Sequence, residues 1–361
     1  MPYTETDPYV HSPQPQRDGI IDTLNQSCLY ETGVRVEKVR VKDGYETYPG
    51  RAETQANVAY MDQLLIDHPE WQAPYFDTKT NVSVYDENNH ASRLLYEDSD
   101  TLQEWFVNAG QAQATALYPL QRPDIDTLPS GAEIDEKSRA FFYHGLDAIG
   151  IRTRAKIMTE IVADHLGDRP AARWISLACG GAVPVIDALK ACEEINLIHL
   201  DLIDYDDQAL EFASQLAAGE ANLQEVPSFN RESELRSYTT HELNLIRGLI
   251  VEDSLVAKFE ENSSDVVDAL GIFEYFSKKD STTFLRNAYR LVRDDGVLVI
   301  ANMLSDRPQL EFNRRGVGWP QLYPRSLEEM AEIVVDAGIP AEKARIIIPE
   351  DSIYAVVEIK K

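Results

Sequence analysis

From Pro170 onward the chain repeats one unit, a short apolar run followed by a stretch of helical periodicity. Strands are expected at Arg173–Ala178, Leu197–Ile203, Leu235–His241, Asp265–Leu270, Gly296–Asn302, Ala344–Ile348 and Ile353–Ile359. Helices are expected over Val185–Glu194, Gln208–Ala217, Glu242–Lys258, Ser281–Val292 and Ser326–Gly338. Such alternation implies a parallel sheet covered by helices on both faces. The last two strands break the pattern. Only Pro349-Glu350-Asp351-Ser352 joins them, too short for a parallel crossover, so the seventh strand must run antiparallel to the sixth. The expected fold class is therefore α/β, a doubly wound, seven-stranded, mostly parallel sheet with an antiparallel last strand.

An N-terminal α+β or helical extension precedes it. Residues 1–27, with Pro2, Pro8, Pro13 and Pro15 among polar neighbours, read as a flexible tail. Residues 28–130 read as an accessory or lid region. Gly33–Val41 alternates valine with charge, as a half-buried strand does. Arg51–Ile66 and Ser99–Leu117 read as helices, the second opened by the capping residues Ser99 and Asp100. Gln121–Gly131 reads as a linker. The α/β domain is expected over 131–361, entered through helices at Ile134–Asp147 and Ile151–Leu166.

Charge narrows the partners. The formal net charge is −27, which repels phosphate backbones and anionic lipid, so neither nucleic acid nor a membrane surface is expected. Three cysteines, Cys28, Cys179 and Cys192, fit a reducing cytoplasm and offer no metal-ligand spacing, so no metal is expected. Met1–Asp18 lacks the pattern of a signal peptide, and the most apolar stretch, Trp174–Leu189, is too short and polar to insert in a membrane.

Three elements carry chemistry. The first is Trp174–Pro184, a buried strand entering a small-residue turn, Ala178-Cys179-Gly180-Gly181-Ala182, and then a helix. Small residues let backbone approach a ligand, and the helix N-terminus offers free N–H groups. The second is Asp204-Tyr205-Asp206-Asp207, at the tip of the second strand and 24 residues beyond Gly180. An acid there can accept both hydroxyls of a ribose. Asp206 and Asp207 also suit the N-cap of the next helix. The third runs from Ser263 through Gly271-Ile272-Phe273-Glu274-Tyr275, a helix, and Arg293–Asn302.

In this order the three elements resemble class I S-adenosylmethionine-dependent methyltransferases over about Arg152–Lys361. Two departures stand in the first motif: Ala178 and Ala182 replace its outer glycines, and Ser176 replaces its usual acid. Asp294-Asp295-Gly296 likewise replaces P-G-G before the fifth strand. Gly271–Tyr275, with Asn302 and Trp319…Tyr323-Pro324-Arg325, is similar to a bacterial small-molecule or lipid-type subgroup. The resemblance implies S-adenosylmethionine as cofactor. Its expected contacts are Ala178, Cys179, Gly180, Gly181, Asp204, Tyr205, Glu242, Asn244, Gly271 and Ile272.

Methyl transfer from a sulfonium is a direct displacement, so alignment and water exclusion carry most of the catalysis. A general base is needed only when the acceptor must lose a proton. Glu274 and Tyr275 at the cleft edge, and His144 in Phe141–Gly145, are the candidate catalytic groups. Asn302, Arg314, Trp319, Tyr323 and Arg325 are the candidate acceptor contacts. The arginines of 303–325, with Arg307 and Arg315, suggest an acceptor bearing a carboxylate or phosphate. Arg152 and Arg154 are candidates for the methionine carboxylate. Three other readings share part of this pattern: an NAD-dependent oxidoreductase, an aminopropyl transferase of the polyamine type, for which no matching motif stands in the chain, and a degenerate methyltransferase fold that binds without turnover. The first hundred or so residues leave open a lid, the interface of a homodimer, or an independent domain.

Overall fold

A computed structural model describes residues 21–28, 31–77, 79–80, 82–110, 114–167, 169–192, 195, 197–230, 236–319 and 322–361. β1 (Ile21–Cys28) and β2 (Arg35–Val41) form a hairpin. α1 (Arg51–Asp67) follows, then a separate pair, β3 (Tyr75–Asp77) and β4 (Val82–Val84). Next come α2 (His90–Tyr96), α3 (Asp100–Gly110), α4 (Ala114–Gln121), α5 (Glu136–His144) and α6 (Leu146–Leu166). The alternating part holds β5 (Ala171–Leu177), α7 (Val183–Ala191), β6 (Leu197–Asp204), α8 (Asp207–Glu220), β7 (Gln224–Glu225) and β8 (Ser237–Glu242). It continues through α9 (Ser254–Phe259), β9 (Ser264–Ala269), α10 (Lys278–Leu291) and β10 (Val292–Met303). α11 (Leu327–Asp336), β11 (Ala344–Pro349) and β12 (Tyr354–Lys360) complete it.

The large sheet has ten strands in the order β1-β2-β11-β12-β10-β9-β5-β6-β8-β7. β12 is antiparallel to both β10 and β11, as the short Pro349–Ser352 connection requires. Three strands join the sheet beyond the seven expected in it: β1, β2, which lies within the strand expected at Gly33–Val41, and β7. Part of the expected tail is thus a strand, since Ile21–Cys28 pairs with β2 through its backbone. The side chains described in β1 are exposed, so no hydrophobic period announces it. Residues 1–20 lie outside the described residues.

Both faces are buried, which explains the near-continuous apolar runs. Trp174, Leu200, Leu202, Val266, Val297 and Val299 pack with α6, α7 and α8 on one face. Ile175, Leu177, Val267, Leu298 and Ile300 pack with α9, α10 and α11 on the other. α11 opens with a capping box, Ser326 and Glu329 each satisfying the other's backbone N–H. A third cluster lies beyond the carboxyl edge and joins α1–α5 to Phe312, Val317 and Leu322.

Other boundaries differ from expectation. Glu242–Lys258 is not one helix: Glu242 ends β8, a π-helical turn spans Ile246–Val251, and α9 begins after Asp253, whose φ is 57°. A left-handed residue cannot lie inside a right-handed helix. Ser99–Leu117 is two helices, with 111–113 outside the described residues. Ile134–Asp147 breaks at Gly145, whose ψ of 141° is extended. Residues 193 and 194, expected to end a helix, also lie outside the described residues.

α6 crosses β12 closely at Gly150, where a Cβ would stand 2.6 Å from Ile353 Cβ. Gly150→Ala is expected to lower unfolding stability by about 1–3 kcal/mol through overpacking, measured by urea unfolding.

Candidate active site

β5 lies between β6 and β9, and the helices that follow β5 and β9 pack on opposite faces of the sheet. Loops diverging at such a switch point open a crevice at the carboxyl ends of the strands. A cavity of about 430 Å³ lies there. Its wall includes Ala178–Ala182, Asp204, Tyr205, Asn244, Gly271 and Ile272. It also includes Arg154, Tyr275, Phe276 and Trp319, and α4 adds Ala114, Leu117 and Gln121.

The turn after β5 keeps a glycine geometry without all the glycines. Ala178, Gly180 and Ala182 have φ of 54°, 52° and 56°. Gly180 N–H donates to Asp204 Oδ2 at 2.9 Å, which ties the turn to the tip of β6. Asp204 Oδ1 accepts from the N–H of Tyr205 at 2.8 Å and of Asp206 at 3.2 Å. Burial raises the Asp204 carboxyl pKa, while these N–H groups pull it back. Asp206 caps α8 by accepting from Gln208 and Ala209 N–H.

Beneath this turn, Asp268 of β9 accepts from Trp174 Nε1 at 2.6 Å and Ser176 Oγ at 3.2 Å. Across the cavity Arg154 pairs with Glu274 at 3.4 Å and lies over the Tyr354 ring at 4.2 Å. Glu274 is buried, its Oε2 has no hydrogen-bond partner, and burial raises its pKa against the pull of Arg154. Trp319 Nε1 donates to the Tyr275 hydroxyl at 2.9 Å. Burial and the Glu274 charge push the Tyr275 phenol well above its usual range.

Several candidates stand elsewhere. His144 is fully buried and its Nε2 meets the Pro49 carbonyl at 2.9 Å, outside the cavity wall. Burial lowers its pKa. Glu242 is exposed and does not line the cavity. Asn302 and Arg325 form a buried clamp: Arg325 donates to the Phe273 and Phe276 carbonyls and to Asn302 Oδ1, while Asn302 donates to the Met303 and Tyr323 carbonyls. They shape the loop after β9 rather than face a ligand. Tyr323 is exposed, with its N–H on the Glu274 carbonyl. Arg314 is exposed beside Glu311, Arg315 pairs with Glu311, and Arg307 is buried against Asp147. Arg152 donates to the Leu120, Phe142 and Tyr143 carbonyls and to Asp43, which staples the N-terminal region to α6. Residues two apart on a helix do not share a face, so Arg154 alone of the two meets the cavity.

Residues 175–300, about a third of the chain, match the family described as a methyltransferase domain. Over these residues the chain carries a methyltransferase domain. In the sheet β5 lies between β6 and β9, the order of a doubly wound fold. A Bordetella parapertussis protein described as a possible exported protein superposes with a TM-score of 0.58 at 18% identity, over 87% of this chain and 99% of that one. The CurJ carbon methyltransferase gives 0.48 at 15% identity over 86% and 81%. Magnesium protoporphyrin IX methyltransferase of Synechocystis PCC 6803, with S-adenosylmethionine bound, gives 0.39 at 13% over 59% and 83%. No curated protein matches the sequence.

The lining of the cavity fits S-adenosylmethionine, the cofactor that the sequence resemblance implies. A Cβ on Gly180 would reach Ala114 at 3.3 Å, and one on Gly181 would reach Phe212 at 2.7 Å, so bare backbone is what keeps the cradle open. Asp204 keeps acceptor capacity beyond its three N–H partners. A second cavity of about 400 Å³ lies at the opposite, amino-terminal edge of the sheet, beside Arg173, His199 and Asp265. None of its described lining atoms is a buried polar group without a partner. Among the described residues no helix is long and apolar enough to cross a membrane, and no cluster could hold a metal.

Left-handed alanine costs about 1–2 kcal/mol, and glycine returns about 0.5–1 of that as chain entropy. Ala178→Gly and Ala182→Gly are each expected to raise stability by up to about 1 kcal/mol, read as an upward shift of the urea midpoint.

Proposed function

We propose that the chain transfers the methyl group of S-adenosylmethionine to a small-molecule or lipid-like acceptor, by in-line displacement in the cavity at the carboxyl edge of the sheet. The observation that carries this reading is the two-sided wall. Backbone and Asp204 line one side, and an aromatic wall of Tyr275, Phe276 and Trp319 lines the other. The cofactor supplies a methyl group made electrophilic by its sulfonium. The chain supplies position and dryness.

In this reading Ala178, Cys179, Gly180, Gly181, Tyr205, Asn244, Gly271 and Ile272 enclose the cofactor, and Asp204 accepts from its ribose. Tyr275 stays protonated at neutral pH. Its oxygen already accepts from Trp319, so its own O–H is free to donate to an acceptor atom. Glu274 is not on the cavity wall and acts through Arg154, whose orientation it sets. Arg154, not the arginines of 303–325, is then the group that meets a carboxylate or phosphate. α4 closes one side of the cavity, which favours a lid role for residues 28–130 before the domain at 131–361. The left-handed Ala178 and Ala182 favour a working turn over a degenerate one, since the glycine geometry persists at a cost. The cytoplasm is the proposed location, on the strength of the sparse cysteines; Cys179 and Cys192 are both free thiols.

Titration calorimetry with S-adenosylmethionine, S-adenosylhomocysteine and NAD tests the reading. Micromolar binding of the first two is expected, weakened about ten- to a hundred-fold in Asp204→Ala as charge-assisted hydrogen bonds are lost. Binding of NAD alone would overturn it in favour of an oxidoreductase.

A further inference from the structure

The first motif lacks its acid, since Ser176 stands there. In the sheet register Ser176 lies directly beside Asp268 on β9. Asp268 is 3% exposed and lines the cavity together with Ser176 and Ala178. Its carboxyl has two polar partners, the Trp174 indole and the Ser176 hydroxyl, and among the described residues no cation pairs with it. A buried carboxyl without a cation is costly unless something else compensates for it. Both donors are neutral and both hold it toward the cavity floor.

We propose that Asp268 supplies, from the neighbouring strand, the carboxylate that faces the ammonium group of the methionine end of S-adenosylmethionine. The acid has moved one strand across the sheet, and Ser176 now orients it. This assignment rests on the methyltransferase reading above. The other groups around Asp268 do not neutralise it. Arg154 from α6 meets the same cavity but pairs with Glu274. Cys179 and Asp204 lie across the turn, and both Asp204 and Asp268 oppose ionisation of the half-buried Cys179 thiol. Tyr275 stays a neutral phenol, and from β10 the neighbour in register is apolar Val299.

Burial raises the Asp268 pKa to about 7, against the pull of Trp174 and Ser176. A cation brought beside the carboxyl favours its charged form, so the pKa falls on binding and a proton leaves. Affinity therefore rises with pH up to about 7 and levels off above it.

The test is calorimetry of the full chain with S-adenosylmethionine at pH 6, 7 and 8, in buffers of different ionisation enthalpy. The expected result is affinity about ten-fold higher at pH 8 than at pH 6, with proton release approaching one per site at pH 6. Asp268→Asn keeps the shape and the bond from Trp174, with the Ser176 hydroxyl turning to accept from the amide N–H, and is expected to bind more weakly and without pH dependence. The wild-type measurement stands without the variant should Asp268→Asn fail to fold. Wild-type binding with no proton release and no change across these pH values overturns the Asp268 assignment while leaving the cofactor reading intact. An unaltered pH dependence in a folded Asp268→Asn does the same. No binding at any pH overturns the cofactor reading, and the role of Asp268 with it.

Discussion

The hydrogen bond from Gly180 N–H to Asp204 holds the site together. It spans the tips of two adjacent parallel strands and fixes a turn in which three residues are left-handed. A second tie, Cys179 N–H on the Ile203 carbonyl at 3.0 Å, runs beside it. With the turn pinned, α7 starts where its N-terminus meets the cavity, and the bare backbone of Gly180 and Gly181 faces the same space. The strain at Ala178 and Ala182 is tolerable only because both strands are buried on both faces and cannot shift to relieve it.

The cap over the carboxyl edge depends on a different set of forces. Arg152 draws α6, the end of α4 and the loop at Asp43 together through four buried hydrogen bonds. Arg325 and Asn302 do the same for the loop after β9. Aromatic packing fills what remains: Trp105 meets Phe141 at 5.3 Å and Trp319 at 6.4 Å. The insert after β10 and the N-terminal helices thus share one apolar cluster, and Tyr275 and Trp319 of the cavity wall pack against it.

The doubly wound sheet was legible because its strands are buried on both faces and the short Pro349–Ser352 link leaves only one direction for β12. The turn and Asp204 were legible from spacing. The edge strands β1 and β7 were not, because backbone pairing carries them and exposed side chains leave no period. His144, Asn302 and Arg325 looked like site residues because polar groups near a cleft invite that reading. In each case a backbone carbonyl takes up the side chain instead, and sequence does not show which carbonyls a fold leaves unpaired. Asp268 did leave a signal, an acid inside a strand expected to be buried on both faces. Its meaning needed the register that sets it beside Ser176.

The most direct test of the central claim is a crystal structure of the full chain with S-adenosylhomocysteine. The expected pose puts the ribose within hydrogen-bond distance of Asp204, the amino acid end above Ser176 and Asp268, and the sulfur toward Tyr275 and Trp319. The ligand seated at the amino-terminal edge beside Arg173 and His199, or in the cavity with its ribose away from Asp204, would contradict it.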